Sequence, residues 1–257
     1  MAQARGVSRA HRLGFVAALA IVAGCGYRRD GDLAAAMPAD AVVVAQARTD
    51  RLRATPLWRA SPPELVESFS QASVVAAAYA QGAWLVLAGG TFGQAPPGAR
   101  MVAPHLACAG PDGLAAAAIA RWRTQAQPGP LAAFAAAHAS GSPLWITLRG
   151  GADLPLSGNG ANLNRLFRDV EYASLDVRVD GACRLHLAAE SSTDAAARRF
   201  EETLRAMLSL AALEEARRPA LAGALNGAVV RREARAIEAE LTGSIETVAA
   251  LVGDRPR

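Results

Sequence analysis

Histidine and cysteine, the side chains that most often carry chemistry in proteins, are scarce in this sequence and widely spaced. The four histidines are His11, His105, His138 and His186. Their positions and those of the three cysteines match no H-E-x-x-H or C-x-x-C pattern, so the sequence predicts no metal site. No G-x-S-x-G segment marks a nucleophile, and Ser142 or Ser157 with distant histidines is a combination that most chains offer. We therefore expect no catalytic residue, and we expect His186 to be a surface residue.

Cys25 differs from the other cysteines, because it ends a segment that has the three zones of a secretion signal. Arg5, Arg9 and Arg12 give a basic start without an acidic residue. The apolar run from Leu13 to Val22 has about ten residues, whereas a membrane-spanning helix needs about 20. Residues 1–24 are therefore predicted to be a signal peptide.

The four residues Val22-Ala23-Gly24-Cys25 resemble the lipobox of bacterial lipoproteins, in which an aliphatic and two small residues precede an acceptor cysteine. The resemblance implies cleavage before Cys25, lipidation of its thiol and acylation of the new amino group. Two or more acyl chains make anchoring stable, whereas one chain binds a membrane only marginally. Because Gly26 follows rather than aspartate, the commonest sorting pattern implies the periplasmic face of the outer membrane. An uncleaved signal anchor and an ordinary cleaved signal are the alternatives.

The other two cysteines, Cys108 and Cys183, each lie on a predicted strand. An oxidising periplasm would allow them to form a disulfide. Buried cysteines are also often no more than small hydrophobic side chains. The sequence leaves both interpretations open, since it gives no Cα separation between the two residues.

The basic character of the whole chain comes mostly from the leader. All 27 basic residues are arginines, and three of them lie in the predicted signal, so the mature part keeps 24 against 23 acids and a formal charge of +1. A nearly neutral chain lacks the basic stripe of a nucleic-acid-binding protein. With nucleic acid excluded on this ground, the expected partners are the membrane, through the covalent lipid that the lipobox implies, and an envelope protein. We expect no other cofactor.

Hydrophobic patterns predict an α+β fold. Two apolar runs flank Gln81-Gly82, and alternating runs over 175–179 and 183–187 flank Asp180-Gly181, which is typical of two β-hairpins. After Thr193, apolar residues recur at helical spacing from Phe200 to Ala211 and predict a helix on the dry face of the second hairpin. Residues 237–241 alternate like a strand, and 161–169 have the pattern of a short helix.

Mostly antiparallel sheets with helices packed on one face are therefore expected. We assign residues 25–39 to the lipidated cysteine and a tether, 40–142 to a first α+β unit and 143–257 to a second. Both units read as strand, helix, hairpin, strand and helix, so they are interpreted as divergent copies. The alternative is that hairpins with glycine are simply common.

The first unit is almost uncharged. Between Ser68 and Ala99 there is no charged residue. The apolar side chains of this segment must be buried against the rest of the chain, a partner or lipid. Burial in a protein core is the usual outcome. A transmembrane segment is an alternative, but Gln81 and the Gly89-Gly90 pair interrupt the run.

The sequence thus favours a membrane-anchored lipoprotein that acts as a binding or scaffold module without catalysis. The mature part, which opens with Pro38-Ala39-Asp40, is loosely similar to uncharacterised envelope lipoproteins of Gram-negative bacteria, and that resemblance implies no activity. A carrier of lipid or another hydrophobic ligand is the second hypothesis, based on the uncharged half. An envelope hydrolase is the third.

Overall fold

A single antiparallel β-sheet organises the chain. The computed structural model describes residues 33–248 except 153, 155–163, 165 and 180. In this part, ten strands pair in one sheet, and each neighbouring pair is antiparallel. The strands are β1 (Val43–Arg48), β2 (Ala72–Ala80), β3 (Ala83–Gly90), β4 (Arg100–Ala103), β5 (Leu106–Ala109), β6 (Leu144–Arg149), β7 (Val170–Val179), β8 (Cys183–Ser191), β9 (Val229–Glu233) and β10 (Ala236–Gly243).

The order of the strands is the same in both halves of the sheet. Across the sheet it is β4-β5-β3-β2-β1-β6-β7-β8-β10-β9. Counted outwards from the centre, each half therefore has its own first, second, third, fifth and fourth strand. The halves join where β1 pairs with β6, with Ala45 opposite Ile146. The α+β class with an antiparallel sheet is confirmed, and the unit boundaries 40–142 and 143–257 stay a prediction.

Helices cover the two halves differently. They are a 3-10 helix (Leu33–Ala36), α1 (Thr49–Leu52), α2 (Pro56–Ala60), α3 (Pro63–Ser68), α4 (Asp112–Arg123), α5 (Pro130–His138), α6 (Asp194–Glu214) and α7 (Pro219–Asn226). Around β1–β3 and β5, the 3-10 helix, α4 and α5 pack on one face, and α1 and α2 on the other. Around β7–β10, α6 and α7 pack on one face, as expected for the second unit.

The uncharged segment forms core. Strand β2 is buried on both faces, and Val75, Ala76, Ala77 and Ala78 are each 0% exposed. Alanine is small enough to let helices approach the sheet from both sides, which explains why this strand shows no polar alternation. Within the described residues, no helix is long and apolar enough to cross a bilayer.

Both predicted hairpins are confirmed. Gln81 and Gly82 have φ angles of 52° and 77°, the left-handed conformation that a two-residue hairpin turn requires. The strand over 237–241 and the helix after Thr193 are also confirmed, and the Thr193 hydroxyl accepts a hydrogen bond from the Ala196 N–H at 3.1 Å. The sequence patterns did not predict β4, α3, α7 or the 3-10 helix. Of the helix predicted at 161–169, residues 161–163 and 165 lie outside the described residues, Asn164 and Leu166 are helical, and 167–169 form a turn.

The folded part begins earlier than the predicted tether suggests. Leu33 is 2% exposed and Met37 is 1% exposed, and both belong to the core under α4 and α5. The N–H of Ala34 donates to Oε1 of the buried Gln46 on β1 at 3.0 Å. Residues 33–37 are therefore part of the domain, which leaves 26–32, outside the described residues, as the span available for a tether.

Candidate functional site

The two cysteines for which the sequence left a disulfide open lie far apart. Cys108 on β5 and Cys183 on β8 are both buried and free. Six strand spacings separate β5 from β8, about 29 Å at the usual 4.8 Å per strand, whereas a disulfide needs Cα atoms within about 7 Å. The disulfide is thus not formed, and the cysteines are buried hydrophobic side chains. Burial raises the pKa of Cys108 and raises that of Cys183 to about 11, so both thiols stay protonated. Cys25 lies outside the described residues.

A cluster around Asp176 is the most chemically distinctive place in the described part of the chain. The β7–β8 register sets Asp176 directly opposite His186. The Asp176 residue is 0% exposed although it lies on the side of the hairpin that alternation predicts to be wet, because the turn between α5 and β6 covers it. His186 Nδ1 lies 2.8 Å from Asp176 Oδ1.

Two further side chains complete the cluster on the other carboxylate oxygen. Ser142, in the turn before β6, donates its hydroxyl to Asp176 Oδ2 at 2.5 Å. Arg178, two residues along β7, donates from Nε to the same oxygen at 3.0 Å and from Nη2 to the backbone carbonyl of His138 at 3.3 Å. Asp176 and Arg178 together thus link β7 to β8, to the end of α5 and to the turn before β6.

These contacts determine the protonation states of the pair. Burial alone would raise the pKa of Asp176, but hydrogen bonds from His186, Ser142 and Arg178, with the charge of Arg178, outweigh it and lower that pKa. The hydrogen bond to Asp176 raises the pKa of His186, against the opposing effect of its own burial. Asp176 is therefore held as the carboxylate, and the cluster favours the protonated imidazole.

The arrangement differs from a hydrolytic triad. In such a triad the serine hydroxyl bonds to the histidine, which takes its proton. Here the Ser142 hydroxyl donates to the carboxylate and accepts from Arg178 Nε at 3.3 Å. The carboxylate lies between serine and histidine, so this geometry fixes the hydroxyl as a donor rather than activating it as a nucleophile. Among the described residues, no group of three or more His, Cys, Asp or Glu side chains is placed to hold a metal ion.

His186 also borders a surface of a different kind, which we call the open face. It is the face of β8, β10 and β9 opposite α6 and α7, and its charged members include Arg184, Glu190, Arg231, Glu233, Glu238 and Glu240. Glu240 pairs with His186 across β8 and β10, and Arg231 pairs with Glu238 across β9 and β10. A cleft of about 140 Å³ lies between His186, Val229, Arg231 and the two glutamates.

Sequence reasoning missed the cluster, although part of it was within reach. The turn at Gly181 fixes the hairpin register, and that register pairs position 176 with 186. Ser142 is 34 residues from Asp176, and no local pattern links them. The covering of Asp176 by the α5–β6 turn is a tertiary contact that buries a residue on the face predicted to be wet, and His186, expected at the surface, is only partly exposed.

Comparison with known proteins gives a distant structural likeness. No protein-family model matches the sequence, and no curated protein matches it. Crystal form I of TP0453 is similar over 88% of this chain and 98% of that chain, at 11% identity and a TM-score of 0.46. Crystal form IV of TP0453 gives the same coverages, with 10% identity and a TM-score of 0.49. Similarity at this level does not establish a common family or function.

Proposed function

We propose that this chain is a lipid-anchored protein of the outer membrane, facing the periplasm, whose folded domain is a non-catalytic binding or scaffold module. The anchor rests on the lipobox-like Val22-Ala23-Gly24-Cys25. The domain would stand close to the membrane, because eight residues from Cys25 to Leu33 extend at most about 28 Å.

The observation that carries the binding role is the open face. The first half of the sheet has helices on both faces, whereas β10 and β9 expose Glu238, Glu240 and Arg231. Charges of both signs in one rigid sheet favour recognition of a protein surface with a complementary pattern, since such patterns give specificity and orientation. The Asp176 cluster keeps β7 and β8 rigid beneath that surface.

Site-specific photo-crosslinking in cells tests the binding role. A photoreactive residue at Glu240 or Arg231 in the full chain is expected to capture a defined envelope protein, identified by mass spectrometry. The same probe at Glu202, an exposed position on α6, is the matched control. With the probe at Arg231, reversing the charges of Glu238 and Glu240 to lysine should abolish the crosslink. Equal capture from all three positions would contradict the proposal.

The anchor has an independent test. Intact-mass analysis of membrane-extracted protein should give a chain that begins at Cys25 and carries acyl groups. Cys25→Ser should leave the protein unlipidated and unanchored. Full-length, unmodified wild-type chain would contradict the anchor while leaving the crosslinking result standing.

The structure weakens the grounds for the two other functions. The uncharged half that suggested a lipid carrier is packed core, with Leu85, Leu87 and Ala78 at 0% exposure. Ser142, which contacts the histidine-aspartate pair, donates its hydroxyl hydrogen bond to the aspartate and not to the histidine. Neither observation gives a hydrophobic carrier or a hydrolase a specific site.

A further inference from the structure

A second cavity lies on the far side of Ser142 from the carboxylate cluster. It has a volume of about 210 Å³ and opens between α5, the α5–β6 turn, β1 and α1. Its walls include Gln46, Arg48 and Arg51 on one side and Ala135, Ala136 and Trp145 on the other. Two arginines belong to this lining, and no acidic residue does.

The polar groups of the cavity are mainly donors. Arg48 Nη2 contacts Asp50 Oδ2 at 3.3 Å, while Arg48 Nε and Asp50 Oδ1 are both buried and have no hydrogen-bond partner among the described residues. Gln46 uses its Oε1 to accept from Ala34, which leaves its amino group as a donor. Because Arg48 Nε and Asp50 Oδ1 belong to one ion pair, neither of them indicates a missing ligand. The Arg48 side chain is 40% exposed, so the rest of its guanidinium can donate to an acceptor in the cavity.

Arg51 places a second cation at the rim. Its Nη1 donates to the backbone carbonyl of Gly141 at 3.0 Å, so the guanidinium spans from α1 to the α5–β6 turn. Asp50 partly neutralises Arg48, whereas Arg51 has no carboxylate partner in the described part of the chain. The cavity therefore carries a net positive charge that a small anion would complement.

The opposite wall of the cavity indicates that the ligand also has an apolar part. Ala135 and Ala139 on the α5 side are buried, and Trp145 of β6 is 7% exposed, so methyl groups and an indole face the guanidinium side. An anion that uses both walls has one charged end and a short apolar end. We propose that this cavity binds a small organic carboxylate of about amino-acid size, with its carboxylate at Arg51 and Arg48. The cavity shares no lining residue with the cleft on the open face, so this ligand adds to the protein-binding role proposed above and does not depend on it.

Calorimetric titration of the full chain in non-ionic detergent tests the proposal. The probes are isobutyrate and benzoate, with their neutral amides and inorganic phosphate as comparisons. We expect the carboxylates to bind and the amides to bind at least about tenfold more weakly, since a charge-assisted hydrogen bond is lost. Arg51→Gln should weaken carboxylate binding by a similar factor, and Arg59→Gln, an exposed arginine on α2 outside the cavity, should not.

A pair of variants on α5 tests the location. Ala136 and Ala137 are both exposed, but only Ala136 lines the cavity. Ala136→Leu should therefore reduce carboxylate binding, while Ala137→Leu should leave it unchanged, and circular dichroism verifies that both variants fold. The proposal is overturned if acid and amide bind alike, if nothing binds, if only phosphate binds, or if Arg51→Gln has no effect. A crosslinked partner with no carboxylate binding would remove this ligand alone and leave the protein-binding role.

Discussion

Asp176 shows how a fully buried charge is tolerated in this domain. An isolated carboxylate would be strongly destabilised by burial, but this one accepts hydrogen bonds from three side chains. Two of these donors balance its charge, because Arg178 is a cation and His186 becomes one when it is protonated. Removing one partner of such a buried pair destabilises the fold by more than the pair's net contribution to stability, because the remaining groups are left buried without partners.

The pair predicts a specific dependence of stability on pH. The pKa of His186 is raised on folding, so its contribution is complete below about pH 6.5 and is lost as the pH rises through the folded pKa. The pKa of Asp176 is lowered, so its contribution is present above about pH 4 and is lost as the pH falls through the folded pKa. We expect His186→Asn to lower the free energy of unfolding by about 1.5–3 kcal/mol near pH 5.5, and by less at pH 9.

Urea unfolding followed by circular dichroism at several pH values measures this difference. The control is the same His186→Asn substitution in an Asp176→Asn background, where the pH-dependent part should disappear. A destabilisation that is equal at pH 5.5 and pH 9 would show that His186 acts through packing and not through its charge.

At the scale of single elements, the start of β2 illustrates a constraint set by close backbone contact. The β2–β3 register is irregular between Ala72 and Val74, and Gly90 ends β3 against this irregularity. A Cβ atom on Gly90 would lie 2.2 Å from the Gln71 carbonyl oxygen and 2.7 Å from the Ala72 Cα atom. Only glycine allows β3 to pair closely there.

Gly90→Ala is therefore expected to reduce the free energy of unfolding by about 2 kcal/mol or more, since backbone atoms must move. Gly113→Ala is the matched comparison, because Gly113 lies in the first turn of α4 and its added methyl group would meet nothing within 4 Å. That change should leave stability unchanged or raise it by up to about 1 kcal/mol. Equal effects of the two substitutions in urea unfolding would contradict the assigned role of Gly90.

The same elements show what sequence patterns can and cannot predict. The β7–β8 hairpin was predictable because alternation and a glycine turn are local signals. β4 was not, because it has four residues, two of them exposed, and an irregular pairing with β5 between Met101 and Ala103. The arginine cavity also escaped prediction, since β1, α1 and the α5–β6 turn come together only through the fold.

Because one continuous sheet spans both halves of the molecule, we expect the two halves to unfold together. The chain contains a natural probe in each half, because Cys108 lies on β5 and Cys183 on β8, and both are at most 2% exposed. The β1–β6 ladder joins the halves through buried side chains such as Ala45 and Trp145. We predict that both thiols become reactive over the same range of urea concentration.

Alkylation at increasing urea concentrations, with peptide mapping of each cysteine, measures this coupling. Coincident labelling curves would show one cooperative unit. If Cys183 reacts at a lower urea concentration than Cys108, the second half opens independently, and the two units deserve to be treated as separate domains. Ala45→Asp, which places a charge in the β1–β6 junction, should separate the two curves if the ladder is the source of the coupling.

The position of β1 also determines how the domain would respond to a mechanical load. The first described residues, Leu33 to Met37, pack under α4 and α5, and the chain then enters β1 at the centre of the sheet. Tension applied at the amino-terminal end would pull along β1, whose backbone hydrogen bonds to β2 on one side and to β6 on the other must break together. Rupture in that shearing direction is governed by the unfolding rate rather than by equilibrium stability. A domain held at its amino-terminal end would thus bear load through its central strand, while the edge strands β4 and β9 carry none of it directly.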